Sequence, residues 1–363
     1  MNNMKKLTKT IKQINDPRRQ WGNLRHKLVD ILVIAFCAIL CDAQTYDEIE
    51  LFGKARKNWL SWFLELPNGI PSADTFSRVF EVIDPKILAK RLRKIFDSDE
   101  MAGKIVAFDG KTIRGSKCLD QQAFHVLSAF LVDSQIVIGE EIVDKKSNEI
   151  TAIPLLLDEI NIKGATVTID AMGTQKEIAK KIIEKNANYV LALKQNHRDL
   201  YDDVKFYFEN EHVFSKITKE ITSGREEIRE YFLETKIDWL HNREKWEKLS
   251  AIGAVRSTVT KRGKTQHETR YFITSLTDIE QFSSTVRQHW GIENHLHWHL
   301  DVTFGEDASR VRTQNSATVW NVLRKTALEY LKAVDPGRRV SLKSRRKMAG
   351  WDDSYLERLL AGH

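Results

Sequence analysis

Two carboxylates each come directly after a short apolar run. Asp109 follows Ile105–Phe108, and Asp170 follows Ala165–Ile169. If the two runs are neighbouring strands, two hard oxygen donors meet at one sheet edge, and such donors suit Mg²⁺ or Mn²⁺. For either aspartate alone, a turn or a helix cap is the more usual role. Gly110 is expected to let the backbone turn tightly after the first strand.

A third carboxylate lies in the segment HWGIENHLHWHLD. A helix over this segment would place Trp290, Glu293, His297 and Leu300 on one face, at spacings of three and four residues. Glu293 would then be a carboxylate on an apolar and aromatic face. The acids of FGEDASR, Glu306 and Asp307, are alternative third ligands.

Histidines in the same segment allow a zinc site as an alternative. His295 and His299 are four residues apart, which is a metal-ligand spacing on a helix. There is no HExxH motif and no cysteine pair nearby, so this alternative is disfavoured.

The predicted elements form an order that would bring the two aspartates together. Strands are predicted over 105–108, 125–132, 135–143, 165–170 and 187–194, with helices in EITAIPLLLDEI and TQKEIAKKIIEK. Three strands followed by alternating helices and strands predict an α/β fold, a mixed sheet with helices on both faces. Residues 210–278 are predicted to be a β-rich insertion.

Residues 1–100 are predicted to be a separate helical domain that binds DNA, and a helical subdomain without that role is the alternative, since no recognition-helix motif is present. The apolar run Leu28–Cys41 predicts a buried helix, since it is shorter than the roughly 20 residues that span a bilayer. Ser72 or Asp74 is the expected N-cap of a later helix. We expect a catalytic domain over 101–334 and a basic tail over 335–363.

The charge balance favours a polyanionic partner. The chain has 57 Lys and Arg against 50 Asp and Glu, a net charge of +7, and its pI is near 9.1. Residues 1–30 hold eight basic side chains, and residues 338–347 hold six and no acid. A solvated face or loose tail is the alternative for each cluster. Three cysteines without a CxxC pair fit a reducing, cytoplasmic compartment.

The chain resembles the DDE transposases of bacterial insertion sequences, in the H-repeat-associated branch. The resemblance runs through DPRRQWGNLRHKLVDIL, VAFDGKTIRGS, TIDAMGTQ, ALKQNH, HWGIENHLHW and LDVTFGEDASRVR. It implies a ribonuclease-H-like catalytic fold with a β-rich insertion before the helix that bears the glutamate. It also implies that Asp109, Asp170 and Glu293 are the catalytic and metal-binding triad, and its IEN motif favours Glu293 over Glu306 and Asp307.

The sequence departs from the wider transposase pattern around the glutamate. A Tyr, an Arg and a Lys often accompany it in that group, whereas here His289 stands four residues before it and Leu300 seven after it. The candidates for gripping DNA phosphates in their place are Lys194, Arg287, His289 and His297. Further DNA-binding candidates are Lys111 and Arg114 beside the first aspartate, and Arg18 and Arg19 in the N-terminal basic cluster. Trp21, Trp290 and Trp298 could stack on a displaced base, although core packing is favoured for each.

The resemblance also implies a reaction and its partners. Two Mg²⁺ or Mn²⁺ ions, with Asp109 bridging them, would support cleavage of double-stranded DNA at inverted-repeat ends and transfer of the freed 3′-OH to target DNA. A homodimer on paired ends is expected, and no membrane partner. The alternatives are a DNA-binding relative that does not catalyse, and a metal-dependent nuclease without strand transfer.

Overall fold

The computed structural model describes residues 4–18, 24–96, 100–117, 122–143, 149–211, 214–222, 224–337 and 339–361. The chain packs into two compact units. The first comprises Met1–Ser98, Lys111–Val126 and Glu293–His363, and the second comprises Asp99–Gly110 and Leu127–Ile292. The chain therefore passes from one unit to the other beside Asp109 and again beside Glu293. As functional domains, the boundaries at 100 and 335 stay a prediction.

The first unit is helical. Its helices are α1 (Met4–Ile11), α2 (Leu28–Leu40), α3 (Tyr46–Ala55), α4 (Lys57–Leu60), α5 (Ala73–Val82), α6 (Pro85–Arg93), α11 (Gln314–Ala333), α12 (Leu342–Trp351) and α13 (Asp353–Ala361). Every residue of α2 except Val29 is buried, as the apolar run predicts. Ser72 is the N-cap residue of α5, which confirms one of the two expected caps. Asp84 caps α6, accepting hydrogen bonds from the backbone amides of Lys86 and Ile87.

The segment expected to be a basic tail is folded. Its helices α12 and α13 carry buried residues that include Ala349, Leu356 and Leu360. Arg346 is fully buried, donates to the carbonyl oxygens of Thr303 and Ile39, and stacks on the ring of Phe304. This arginine stabilises the helical unit and is not a DNA-facing charge.

The second unit holds most of a nine-stranded sheet. Its strands are β1 (Ile105–Ile113), β2 (Phe124–Leu131), β3 (Ile136–Val143), β4 (Thr166–Ile169), β5 (Asn188–Leu193), β6 (Ser215–Thr222), β7 (Arg225–Glu234), β8 (Ala251–Lys261) and β9 (Lys264–Thr274). Their order is β3-β2-β1-β4-β5-β9-β8-β7-β6. Strands β1, β4 and β5 pair in parallel, and β9 pairs antiparallel with β5. The sheet is thus mixed, and the order of its first five strands is that of the ribonuclease-H-like fold.

The β-rich segment predicted between 210 and 278 is present. It contains β6 to β9 and extends the main sheet through the pairing of β9 with β5. The sequence does not indicate this continuity, because strand pairing across some 80 residues leaves no local pattern.

Helices cover both faces of the sheet. The helices of this unit are α7 (Glu149–Glu159), α8 (Lys176–Glu184), α9 (Arg198–Asn210) and α10 (Ile279–His289). On β5, Tyr189 and Leu191 join the apolar cluster that contains the buried residues of α7, α8 and α9. Val190, between them, joins the cluster that contains Phe282 of α10. Successive strand residues point to opposite faces, so the two clusters lie on opposite sides.

No helix in the part of the chain that the structure describes is long and apolar enough to cross a membrane.

Candidate active site

Asp109 and Asp170 occupy matching positions on neighbouring strands. In the parallel pair of β1 and β4, Phe108 is the partner of Ile169, and each aspartate is the next residue along its strand direction. Equal register in a parallel pair gives both side chains the same orientation. The predicted meeting of the two carboxylates at one sheet edge is therefore supported by the fold.

The surroundings of Asp170 disfavour its negative charge. The backbone amides of Met172 and Gly173 donate to its Oδ1 at 3.1 and 3.3 Å, which fixes the carboxylate in the turn after β4. Burial raises the pKa of Asp170, and the negative charges of Glu149 and Asp109 raise it further. A bound cation would relieve both effects, so the donor set fits a hard divalent ion such as Mg²⁺ or Mn²⁺.

Asp109 lies inside a longer strand than predicted. β1 continues past it to Ile113, and Gly110 is absent from the residues with positive φ. The expected tight turn at Gly110 is therefore wrong. The Gly110 amide instead donates to Oδ1 of Asp109 at 2.9 Å.

His289 ends α10 beside these aspartates. Its Nδ1 lies 3.3 Å from Oγ1 of Thr168 on β4. Burial lowers the pKa of His289, although the charges of Asp109 and Asp170 act in the opposite direction. At neutral pH the ring is therefore uncharged and places a polar but neutral group beside the carboxylates.

Glu293 begins a π-helical segment in the helical unit. The segment covers Glu293–His297, and a second π-helical segment covers His299–Thr303. The predicted single α-helical face is therefore wrong, because the wider π turn rotates successive side chains differently. Glu293 is exposed, and buried His297 places Nδ1 3.1 Å from its Oε2. The histidine thus holds the acid as a hydrogen-bond donor and is not an exposed phosphate contact.

Two of the tryptophans that were expected to pack in the core lie at the surface. Trp290 is 41% exposed and Trp298 is 51% exposed, so core packing is wrong for both. The guanidinium of Arg270 lies over the Trp290 ring, 4.6 Å from its centroid. Trp21 lies outside the described residues.

Glu306, one alternative third acid, is engaged in a buried ion-pair cluster. It is fully buried, and its carboxylate lies 3.1 Å from Lys111 Nζ and 3.8 Å from Arg324. Asn321 donates to its Oε1 at 2.8 Å. Burial opposes the charged form, but Lys111 and Arg324 keep the pKa of Glu306 below its ordinary value. A carboxylate enclosed in this way is a structural anion, which favours Glu293 as the third acid.

Lys111 is also occupied. Its side chain is 10% exposed, and Nζ lies 2.6 Å from Asp301 and 3.7 Å from Asp307 in addition to its contact with Glu306. Three carboxylates surround the ammonium group in this structure, so the contact of Lys111 with a DNA phosphate stays a prediction that these ion pairs disfavour.

The other predicted phosphate contacts differ in accessibility. Arg287 donates to both oxygens of Glu220, at 2.9 and 2.7 Å, so it fastens α10 to β6 rather than offering a free guanidinium. Arg18 pairs with Asp16 at 2.6 Å. Arg114 is 78% exposed and Lys194 is exposed, so both stay candidates. Arg19 lies outside the described residues.

The zinc alternative gains no support. Lys332 donates to the carbonyl oxygen of His295, and His299 Nδ1 lies 3.0 Å from Oγ1 of Thr303. Among the residues that the structure describes, neither histidine belongs to a group of three or more ligands close enough to hold a metal.

Three residues near these acids were not predicted from the sequence. They are Thr168 beside His289, Glu149 near Asp170, and Asp301 against Lys111. Only Asp301 had a signal, since it stands in the LDVTFGEDASRVR segment on which the family resemblance rests.

Comparison with known proteins identifies the family. Residues 100–329 match the family described as Transposase DDE domain, and residues 8–95 match the region described as DDE_Tnp_1-associated. The chain belongs to the DDE transposase family. It is 38% identical to the putative transposase YncI of Escherichia coli O157:H7, over 94% of this chain and 91% of that protein. It is 36% identical to the H repeat-associated putative transposase YhhI of Escherichia coli strain K12, over 99% of this chain and 98% of that protein.

The H-repeat-associated branch inferred from the sequence motifs is thus confirmed. DDE transposases use divalent metal ions, which agrees with the carboxylate pair on β1 and β4. The relatives also include an inactive transposase, YbfQ of Escherichia coli strain K12, which is 38% identical over 21% of this chain and 89% of its own length.

Proposed function

We propose that this transposase cuts DNA at the ends of an insertion sequence and joins the freed 3′ ends to target DNA, with Asp109, Asp170 and Glu293 as its catalytic triad. The observation that carries the proposal is the register of β1 and β4, which sets Asp109 and Asp170 side by side. Membership of the DDE transposase family supports the reaction class.

The three acids have distinct tasks in this proposal. Asp109 and Asp170 would hold Mg²⁺ or Mn²⁺, two ions in all, and Glu293 would complete the ligand set. When bound, the ions activate the attacking oxygen and stabilise the leaving oxygen of an in-line displacement.

Neighbouring groups hold the acids in place. Backbone amides after β4 fix one oxygen of Asp170, and the His297 ring fixes one oxygen of Glu293. His289, uncharged because of burial, adds no positive charge that would compete with a cation. Ordered ligands of this kind lower the cost of assembling a site.

The proposed partners are double-stranded DNA, at the inverted-repeat ends and at the target, and a second copy of this chain on the paired ends. Arg114 directly follows β1 and Lys194 directly follows β5, and both are exposed and would contact phosphates.

Metal-dependent nicking of DNA that carries the candidate inverted repeats tests the proposal. Asp109→Asn, Asp170→Asn and Glu293→Gln should each reduce nicking to background, because each removes an anionic ligand while keeping nearly the same shape. Asp133→Asn, at an exposed turn between β2 and β3, is the matched control and should cut like the wild type.

The same reaction separates the alternatives. Joined products in addition to nicks support a transposase, whereas nicks without joined products indicate a nuclease. Wild-type protein that binds the repeats and never cuts would show a DNA-binding relative without catalysis. Normal cutting by Glu293→Gln would remove Glu293 from the triad.

A further inference from the structure

Helices α1 and α6 concentrate positive charge. By sequence, residues 4–12 hold four basic residues and residues 85–94 hold five, and neither stretch contains an acid. These nine positive charges exceed the net charge of +7 of the whole chain, so all other residues together carry a net charge of −2. These two segments are therefore among the most basic parts of the chain, together with residues 338–347.

The two helices lie against each other within the helical unit. Lys6 Nζ donates to the carbonyl oxygen of Ile95, just after α6, at 2.8 Å. Arg91 donates to Oε1 of Gln13, just after α1, at 3.0 Å. These contacts join the charges of both helices into one surface, although some 80 residues separate the helices in sequence.

The exposed cations follow regular stripes. Lys86 and Lys90 of α6 and Lys94, its C-cap residue, are exposed at intervals of four residues, and Lys9 of α1 and Lys12 just after it are exposed too. Residues four apart lie on one helix face, about 6 Å apart along the axis. An extended row of cations at this spacing suits a rod of regularly spaced negative charge better than a single small anion.

Most apolar residues of these helices are buried and not available to a lipid surface, and Ile87 of α6 is a single exposed exception at 47%. Leu7, Ile11 and Ile14 of the α1 region are buried, as are Leu88 and Leu92 of α6. A helix that binds a membrane surface needs an exposed apolar face opposite its basic face. The surface therefore offers charge without an inserting face, which favours a nucleic-acid backbone.

We propose that the exposed lysines of α1 and α6 form the surface that grips the phosphate backbone of duplex DNA, independently of base sequence. This deepens the proposed function and rests on DNA being the substrate. Each lysine that neutralises a phosphate releases a condensed counterion, so binding by this surface must weaken steeply with salt.

The test compares two triple variants with equal loss of charge. Lys86/Lys90/Lys94→Gln changes the proposed surface, and Lys163/Lys176/Lys180→Gln removes three exposed lysines of the sheet-containing unit. Affinity for a short duplex of arbitrary sequence is measured without metal between about 50 and 200 mM salt. For the first variant, we expect the slope of log K against log salt to become shallower by up to about 2.7. Its affinity near 100 mM salt should fall roughly 100-fold. The second variant should keep the wild-type slope, and circular dichroism should show both folded.

Other outcomes would contradict the proposed DNA-binding surface. An equal loss of DNA affinity in both variants would show a diffuse charge effect. An unchanged salt slope in the first variant would show that other residues bind the DNA backbone. Binding to phosphatidylserine vesicles that depends on these lysines, without a change in DNA affinity, would assign the surface to a membrane.

Nicking by the same proteins keeps the two proposals distinguishable. At low salt and limiting protein, Lys163/Lys176/Lys180→Gln should nick like the wild type, whereas Lys86/Lys90/Lys94→Gln should nick more slowly because it binds DNA less tightly. Wild-type protein that binds through these lysines and never nicks would refute the proposed function alone. Normal nicking with wild-type affinity in the α6 variant would refute the surface alone.

Discussion

The candidate acids all carry a carboxylate but differ in their surroundings. Asp170 is held by two backbone amides and lies close enough to Asp109 for their charges to interact. Glu293 is exposed and held by a buried histidine, whereas Glu306 is enclosed by two cations. Burial and partners therefore decide which acid is available to a ligand, and residue type alone does not.

His299 should make the folded protein sensitive to acid. Burial, together with the charges of Lys332 and His295, lowers the pKa of His299 to about 4, while an unfolded histidine titrates near 6.5. Between these values the unfolded chain binds more protons, so this contribution to stability is lost as the pH falls through that window. When the pH is lowered from about 7 to about 4.5, the Tm of His299→Gln should therefore fall less than the Tm of the wild type.

The control for this comparison is His241→Gln, at an exposed position. Its Tm should fall with pH as in the wild type. Equal losses of Tm in all three proteins would show that His299 ionises freely in the folded state.

At the scale of elements, the Lys111 cluster joins the end of β1 to the segment after Glu293. Lys111 stands two residues after Asp109, and its partner Asp301 lies 190 positions away in sequence. Lys111→Met would leave Glu306 buried with fewer cations and should lower the free energy of unfolding by about 3 kcal/mol. Urea denaturation measures the change.

A double variant gives the sharper comparison. Adding Glu306→Leu to Lys111→Met removes both charges and should recover much of the lost stability, because an apolar pair can replace a buried ion pair. Lys163→Met, at an exposed site, should change little. A double variant less stable than the single one would contradict this account of the cluster.

The packing of α10 against the sheet depends on a glycine. A Cβ at Gly253 of β8 would lie 3.0 Å or less from three ring atoms of Phe282 on α10. Gly253→Ala should therefore cost about 1 to 3 kcal/mol of stability. Nicking should also fall, since α10 carries His289 and leads directly to Glu293.

Phe282→Leu in the same chain tests whether the effect comes from this contact. The smaller side chain should restore part of the Tm and of the nicking rate lost in Gly253→Ala. Full activity in Gly253→Ala alone would show that α10 can shift without affecting the acids.

At the scale of the whole molecule, metal binding should be visible as stability. An ion that binds only the folded protein raises the free energy of unfolding by about 2.7 kcal/mol at a hundredfold excess over Kd. Mn²⁺ should therefore raise the Tm of the wild type and raise that of Asp109→Asn/Asp170→Asn much less. NaCl at equal ionic strength is the control, and equal Mn²⁺ shifts in both proteins would place the ion elsewhere.

Charge is distributed over the molecule in a way that composition does not reveal. Residues 4–12 and 85–94 together hold nine basic residues and no acid, while Lys111 and Arg287, which were expected to meet DNA, lie in ion pairs. Arg346, in the C-terminal basic cluster, is fully buried. Counting basic residues predicts a polyanionic partner, but it does not locate the surface.

The sequence by itself predicted the α/β class and the order of most strands and helices along the chain, and it predicted that Asp109 and Asp170 would meet if their strands were neighbours. Alternation and apolar runs are local signals that state which face of an element is buried, and aspartates at the ends of adjacent parallel strands must then meet. The motifs around Glu293 identified the family and predicted Glu293 as the third acid.

Only the tertiary structure decided which charges are free. The partners of Lys111, Arg287 and Arg346 come from segments 43 to 307 residues away, and no local period encodes them. The same holds for the union of α1 with α6 and for the continuation of the sheet through β9. Local sequence specifies burial, whereas the identity of a distant neighbour depends on how the whole chain packs.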